Sequence, residues 1–295
     1  MQLERGDLFF IHFPSVSALM DLILVKMLTQ ARTIFVFHEP YTSFASYRAS
    51  GFGILQALRI KLISLVNKLI CAFSDKIILP SERAFRAIPD AINEPSRFAK
   101  INLIFSDEST PSDLSSQRQW ISYVGTIAED HAFREFVDLV YQCAHRHLLE
   151  SFQFLIASRS VIPPQLIEKV ESCVISGRLT LVVGNPLTNA EINRFYSGSY
   201  IVWNAYRRSM QSGVLPKSYM FGTPVLVSRN NVDANFTDGV HGRLISNNSS
   251  VEEFLNAVQF IHQNWPEMSR KCREYYLRNF DYRTLSDLLM KFIQR

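Results

Sequence analysis

From end to end the chain alternates short apolar runs with longer amphipathic segments, and no other feature restricts its fold as much. Parallel strands buried on both faces read as near-continuous runs of Val, Ile, Leu and Phe, and amphipathic helices supply the crossovers between them. Residues 8–13 (LFFIHF) read as a first strand, followed by a serine-capped helix over 15–30. A second strand spans 33–38 (TIFVFH) and stops at Glu39-Pro40, since proline cannot extend a ladder. A loop rich in Tyr, Ser and Gly covers 41–53. The long helix Ile54–Phe73, the strand Lys76–Leu79 and a helix starting near Ser81 complete this half.

Residues 107–117 (DESTPSDLSSQ) are polar and hold a proline, which marks a linker. A second series then predicts strands at Trp120–Val124, 152–157, 180–183, 200–204, 224–228 and Gly242–Ile245, with helices over 132–147, 164–173, from Asn189, and over 214–221. Helices follow at 251–264, 266–279 and 282–295, the second opening at Pro266. The fold class is therefore α/β, with two Rossmann-like doubly wound domains over 1–112 and 113–295, the last helices belonging to the second. About 107 residues precede the linker, few for such a half, so the N-terminal domain reads as shortened or as a frame beginning late, with an apolar sheet edge to shield.

Composition narrows the function classes. At 47% hydrophobic and 20% charged, the chain is neither disordered nor low in complexity. The net charge of +4 comes from scattered Lys and Arg rather than runs, so no nucleic-acid partner is expected. Cys71, Cys143, Cys173 and Cys272 form no CxxC pair and read as free thiols in a reducing compartment. Met1-Gln2-Leu3-Glu4-Arg5-Gly6-Asp7 is polar where a secretory signal would be apolar, and a cytoplasmic location is the expectation.

Gln211-Ser212-Gly213-Val214-Leu215-Pro216, ahead of Phe221-Gly222-Thr223-Pro224-Val225, is the sharpest local signal. Small residues open a helix directly after a strand and loop, where free backbone N–H groups attract anions and Gly213 allows a phosphate close approach. The plain alternative is an ordinary helix cap. No Asp-x-Asp or His/Asp cluster suggests a metal, and no cofactor is implied.

In this segment the chain resembles family 4 of the retaining glycosyltransferases, in particular the bacterial surface-polysaccharide branch. Three further stretches fall in the family's order: Ile121-Ser122-Tyr123-Val124-Gly125-Thr126-Ile127, Asn189-Ala190-Glu191-Ile192-Asn193-Arg194-Phe195-Tyr196, and Phe73-Ser74-Asp75-Lys76-Ile77-Ile78-Leu79-Pro80-Ser81. The resemblance spans roughly residues 10–245 and implies a GT-B fold. It also implies metal-independent, retaining transfer of a hexose from a nucleotide-sugar donor to a polysaccharide or lipid-linked glycan (O-antigen, capsule or exopolysaccharide). The donor's diphosphate would rest on Gly213, Val214 and Leu215, flanked by Gln211 and Ser212 and by the glycine turn at Gly125.

The pattern also departs from that family. Two Glu commonly found around this helix are replaced by Ser209 and Lys217, and an Arg and a Lys after the glycine turn by Thr126 and His131. Arg207, Arg208 and Lys217 are the cations at hand to hold a diphosphate in their place, unless the arginines merely decorate an exposed turn. The resemblance puts a functional histidine or acid at an N-domain strand end facing the donor sugar, which singles out His38 or Glu39, with His12 as rival; a packing role is the plainer reading of His38. Trp120, Trp203 and Trp265 read as core or rim. Helix Ile54–Phe73, apolar but dotted with Arg and Lys, either lies buried under the N-terminal sheet or makes peripheral contact with the inner membrane, where lipid-linked acceptors lie. A transferase-like binding or scaffold protein without catalysis is the competing reading.

Overall fold

The computed structural model describes residues 7–38, 40–41, 43–49, 51–114, 117–208 and 212–294. Two compact units emerge: Met1–Ile104 with Tyr282–Arg295, and Phe105–Asp281.

In the first unit the chain runs β1 (Leu8–Ile11), α1 (Val16–Leu28), β2 (Arg32–Val36), α2 (Phe44–Ala49), α3 (Ile54–Phe73), β3 (Lys76–Leu79), α4 (Glu82–Arg86), α5 (Asp90–Asn93) and β4 (Phe98–Lys100). Ser15 and Ser81 cap α1 and α4 through their side-chain oxygens. The four strands are parallel and lie in sequence order, β1-β2-β3-β4. One face buries Ile11, Phe35, Phe37, Ile77 and Leu79 against Leu22 of α1, Ile70 of α3 and Ala84 of α4.

The second unit runs α6 (Pro111–Leu114), β5 (Trp120–Val124), α7 (Phe133–His145), β6 (Gln153–Ser158), α8 (Ile167–Ile175), β7 (Leu179–Val183), α9 (Asn189–Gly198), β8 (Ser199–Asn204), α10 (Val214–Met220), β9 (Val225–Ser228), β10 (Gly242–Ile245) and α11 (Val251–Asn279). Its six strands are parallel in the order β10-β9-β8-β5-β6-β7. Alternate residues serve the two faces, as the period of a strand requires. Ile121, Tyr123, Phe154, Ile156 and Trp203 meet α7 and α8 on one side, and Val124, Leu155, Ala157 and Val202 meet Leu215, Tyr219 and Phe221 on the other.

The sequence separates two helices at Pro266, but α11 passes through it unbroken. Its first half packs Phe254, Val258 and Ile261 into one core, its second half packs Cys272 and Tyr276 into the other, and Trp265 donates to the Tyr200 carbonyl at 3.0 Å between them. Packing on both sides offsets the hydrogen bond that proline removes.

The domain boundary also needs correction. The last helix, α12 (Tyr282–Gln294), belongs to the first unit and not to the C-terminal one. Sequential right-handed crossovers put the connecting helices of β1–β4 on a single face of the sheet. The other face, bearing Ile34, Val36 and Ile78, is closed by Phe292 and Ile293 of α12, and Arg32 donates to the Ile293 carbonyl at 2.8 Å. The polar stretch after residue 104 is likewise no loose linker. Phe105 N donates to the Phe280 carbonyl at 2.9 Å, Asp107 takes a two-pronged ion pair from Arg273, and Glu108 pairs with Lys217 at 2.9 Å. Burial opposes the Asp107 charge, but Arg273 and Ser109 outweigh it and hold its pKa below the usual carboxylate range.

The four cysteines are free. Burial raises the thiol pKa to about 12 at Cys71 and about 11 at Cys143 and Cys173, which keeps them protonated and unreactive near neutral pH.

Candidate functional site

Strand order points to the site. In the second sheet the chain starts at β5, proceeds through β6 to β7, then returns to build β8 on the other side of β5. Such a reversal leaves a crevice at the carboxyl ends of the two central strands, the usual ligand position in open α/β sheets.

Gly125 follows β5 directly, with φ +139°, a conformation that favours glycine, and its N–H donates to the Ala157 carbonyl at 3.0 Å. A Cβ placed there would lie 3.7 Å from Val214 Cγ2 and 3.9 Å from Tyr206 Oη. The glycine turn after β5, the loop after β8 and the start of α10 therefore converge. Tyr206 is the post between them: its buried hydroxyl hydrogen-bonds Ser212, and its ring stacks on His131 at 4.2 Å and 12°. Burial raises the Tyr206 pKa, so the phenol stays neutral. No motif of its own marks Tyr206 in the sequence; its place just past a strand gains meaning only once strand order makes that strand central.

The other sequence candidates take definite places around this post. The Thr126 carbonyl accepts from Tyr123 Oη at 2.7 Å and lies 2.8 Å from His131 Nδ1, which orients the imidazole with that nitrogen as donor. Val214 N donates to Ser212 Oγ at 3.1 Å, closing a tight turn before α10. Gly213 has ordinary helical angles, φ −66° and ψ −16°, and open space where a side chain would go. Leu215 points into the core. Asn204, at the end of β8, carries a buried Oδ1 with no hydrogen-bond partner, an acceptor that a ligand donor would satisfy.

The cations are spoken for. Arg207 pairs with Glu135 and lies 3.6 Å from Glu129, while Lys217 is held by Glu108 and sits over the Phe221 ring. Arg208 is buried, and the backbone N–H groups of Arg207 and Arg208 both reach the Asp130 carbonyl. Gln211, Ser209 and Glu39 lie outside the described residues. His38, half-buried just past β2 in the first unit, stacks with Phe13 at 6.0 Å and lies 6.4 Å from His12, so both histidine candidates share one strand-end cluster. Among the described residues no group of three His, Cys, Asp or Glu side chains gathers as metal ligands do.

No protein-family model and no curated protein sequence matches the chain. Solved structures do match. Sucrose-phosphate synthase from Thermosynechococcus elongatus aligns over 97% of this chain and 73% of its own, with a TM-score of 0.74 and 15% identity. HepE from Anabaena, in complex with UDP-glucose, aligns over 97% of this chain and 78% of its own, with a TM-score of 0.70 and 14% identity. The pneumococcal O-GlcNAc transferase GtfA, in complex with UDP and GlcNAc, aligns over 99% of this chain and 57% of its own, with a TM-score of 0.67 and 14% identity. The likeness establishes the fold: two Rossmann-like α/β domains of the GT-B architecture.

Proposed function

We propose that the chain binds a nucleotide-sugar and transfers its hexose to a polysaccharide or lipid-linked glycan, as a metal-independent, retaining glycosyltransferase of the family-4 type. It would work in the cytoplasm, in peripheral contact with the inner membrane. The observation that carries the proposal is the convergence of Gly125, Tyr206 and Ser212-Gly213-Val214 at the reversal point of the second sheet. Two fold neighbours bind UDP or UDP-glucose, which favours a nucleoside diphosphate as the group recognised.

In this reading Gly125 and Gly213 let the diphosphate approach the backbone, and the amides of Gly213 and Leu215, with that of Val214 once it turns from Ser212 Oγ, carry charge that develops on the leaving group. Those preorganised amides do most of the work, since Arg207 and Lys217 would first have to leave Glu135 and Glu108. Thr126 and His131 shape the turn, Asn204 accepts a hydrogen bond from the donor, and His38 or Glu39 orients the sugar or the acceptor hydroxyl.

Calorimetric titration with UDP, GDP and dTDP tests the site. Gly213→Asp adds a negative charge without a steric clash, and its expected result is at least about tenfold weaker binding, about 1.4 kcal/mol. Binding unchanged in that variant, or absent with all three nucleotides, overturns the location. The same ion pairs favour a second reading, a nucleotide-sugar-binding protein without transfer. Donor turnover by the wild type, abolished in His38→Ala with binding intact, decides for catalysis.

A further inference from the structure

Helix α3 is turned inside out for a helix that only covers a sheet. It buries Ala57, Ser64, Asn67 and Ile70, two of them polar, and leaves Ile54, Leu55, Leu58, Leu62, Leu65, Leu69 and Phe73 in solvent. Leu55 is 83% exposed and Leu62 70%. At 100° per residue those seven fall within an arc of roughly 100°, a continuous stripe. Lys61 and Lys68 line one margin of the stripe and Arg59 the other. None of the three is in an ion pair among the described residues, and α3 contains no Asp or Glu. Neighbouring α1 presents a matching stripe of Val16, Met20, Leu24, Met27 and Leu28.

Two adjacent helices with outward apolar stripes make a patch far larger than scattered surface leucines, and such patches mark an interaction site. Its charge selects the occupant. A second copy of the same face would bring like charges from both α3 helices together, with Asp21 of α1 the one carboxylate on either helix of the face to set against Arg59, Lys61 and Lys68. An anionic phospholipid surface accepts the leucines among its acyl chains while the Lys and Arg stems reach outward to phosphates. Among the described residues no helix is long and apolar enough to cross a membrane, so α3 would lie in the interface. We infer that the α1–α3 face docks on anionic phospholipid bilayer, with Leu58, Leu62 and Leu65 inserted and Arg59, Lys61 and Lys68 on the headgroups. The inference specifies the membrane contact proposed above, and it stands on these two helices and not on the donor site; vesicle binding and nucleotide binding fail separately.

Flotation with vesicles of phosphatidylcholine alone, and of equal parts phosphatidylcholine and phosphatidylglycerol, is the experiment. The wild-type chain should float with the anionic vesicles at least about tenfold more strongly than with the neutral ones, the effect expected of a few basic side chains at an anionic surface. The triple variant Arg59→Gln/Lys61→Gln/Lys68→Gln should lose that preference. Leu58→Gln/Leu62→Gln/Leu65→Gln should lose flotation on both while keeping the wild-type circular dichroism spectrum and its nucleotide binding, since the three leucines are exposed. No flotation of the wild type, or undiminished flotation of the leucine variant, overturns the inference. A vesicle-free dimer in sedimentation, dissolved by the leucine substitutions, overturns it in favour of a second copy.

Discussion

The two units are written in the same alternation of strand and helix, yet they use it differently. In the second, the chain begins at β5 and winds outward in both directions, so the turns after β5 and β8 meet around Tyr206. In the first, β1 to β4 are laid down in one direction. Its strand ends stand in a row, with His12, Phe13 and His38 along it, and one face of the sheet waits for α12. The packing differs in kind as well. Helices α7 and α8 of the second unit turn Phe136, Val140, Val170 and Cys173 inward, whereas α1 and α3 leave most of their large side chains outside. Alternation sets the fold class; the order in which strands are placed decides where a site can form.

If the second unit is the tightly packed one, a single methyl group should be able to break it. Gly242 in β10 has φ +143°, and a Cβ there would lie 1.8 Å from the Val225 carbonyl oxygen of β9. Gly242→Ala is expected to cost at least about 4 kcal/mol, the range of severe core mutations, read as a lowered urea midpoint or as insoluble protein. The counterpart in the first unit, Gly53→Ala at the start of α3, meets nothing within 4 Å. Near-equal losses at the two positions would break the comparison.

Acid should act through the same unit. His241 is buried among Tyr219, Phe236 and Tyr275 and accepts from Thr237 N at 3.1 Å, which requires a neutral ring. Burial, assisted by Lys271, lowers its pKa to about 4. Between its ordinary value and that one the unfolded chain holds the proton and the folded chain does not. Its contribution is therefore complete above the unfolded pKa and is lost as pH falls through this window, by about 3 kcal/mol in all. Urea midpoints at pH 7 and pH 4.5 should fall apart for the wild type and draw together in His241→Gln. An equal acid shift in both proteins would remove His241 from the account.

The segment after residue 104 sharpens the boundary between the units. If it belongs to the second, Asp107→Asn loses the paired contact with Arg273 and should cost about 1–3 kcal/mol, as for a partly buried charged hydrogen bond. A free linker would lose nothing measurable.

Strands rich in Val, Ile and Phe declared themselves in the sequence because both of their faces are buried. β4 did not, since Phe98-Ala99-Lys100 is too short to show a period. The glycine turn and the Ser212-Gly213 turn were legible as separate motifs; Tyr206, which joins them, was not, because only strand order brings it there. Lys217 reads as a free cation until its Glu108 partner, distant in sequence, is folded against it. The partner sheet of α12 was equally out of reach, for an amphipathic pattern says that a helix has a buried face and not what covers it.

The smallest expected effect bears most directly on the contrast between the units. Leucine is the residue whose loss is normally felt when it is packed, at about 2–5 kcal/mol on truncation. Leu62 lies in the middle of a 20-residue helix, where a core position would be expected, and is mostly in solvent. Leu62→Gln removes little buried area and keeps helix propensity, so the folded chain should change by no more than about 0.5 kcal/mol in urea titration. Its solubility should rise as the apolar stripe is interrupted. A loss of about 2 kcal/mol would mean that α3 is packed on its outer face in solution, and the first unit would then be as closed as the second.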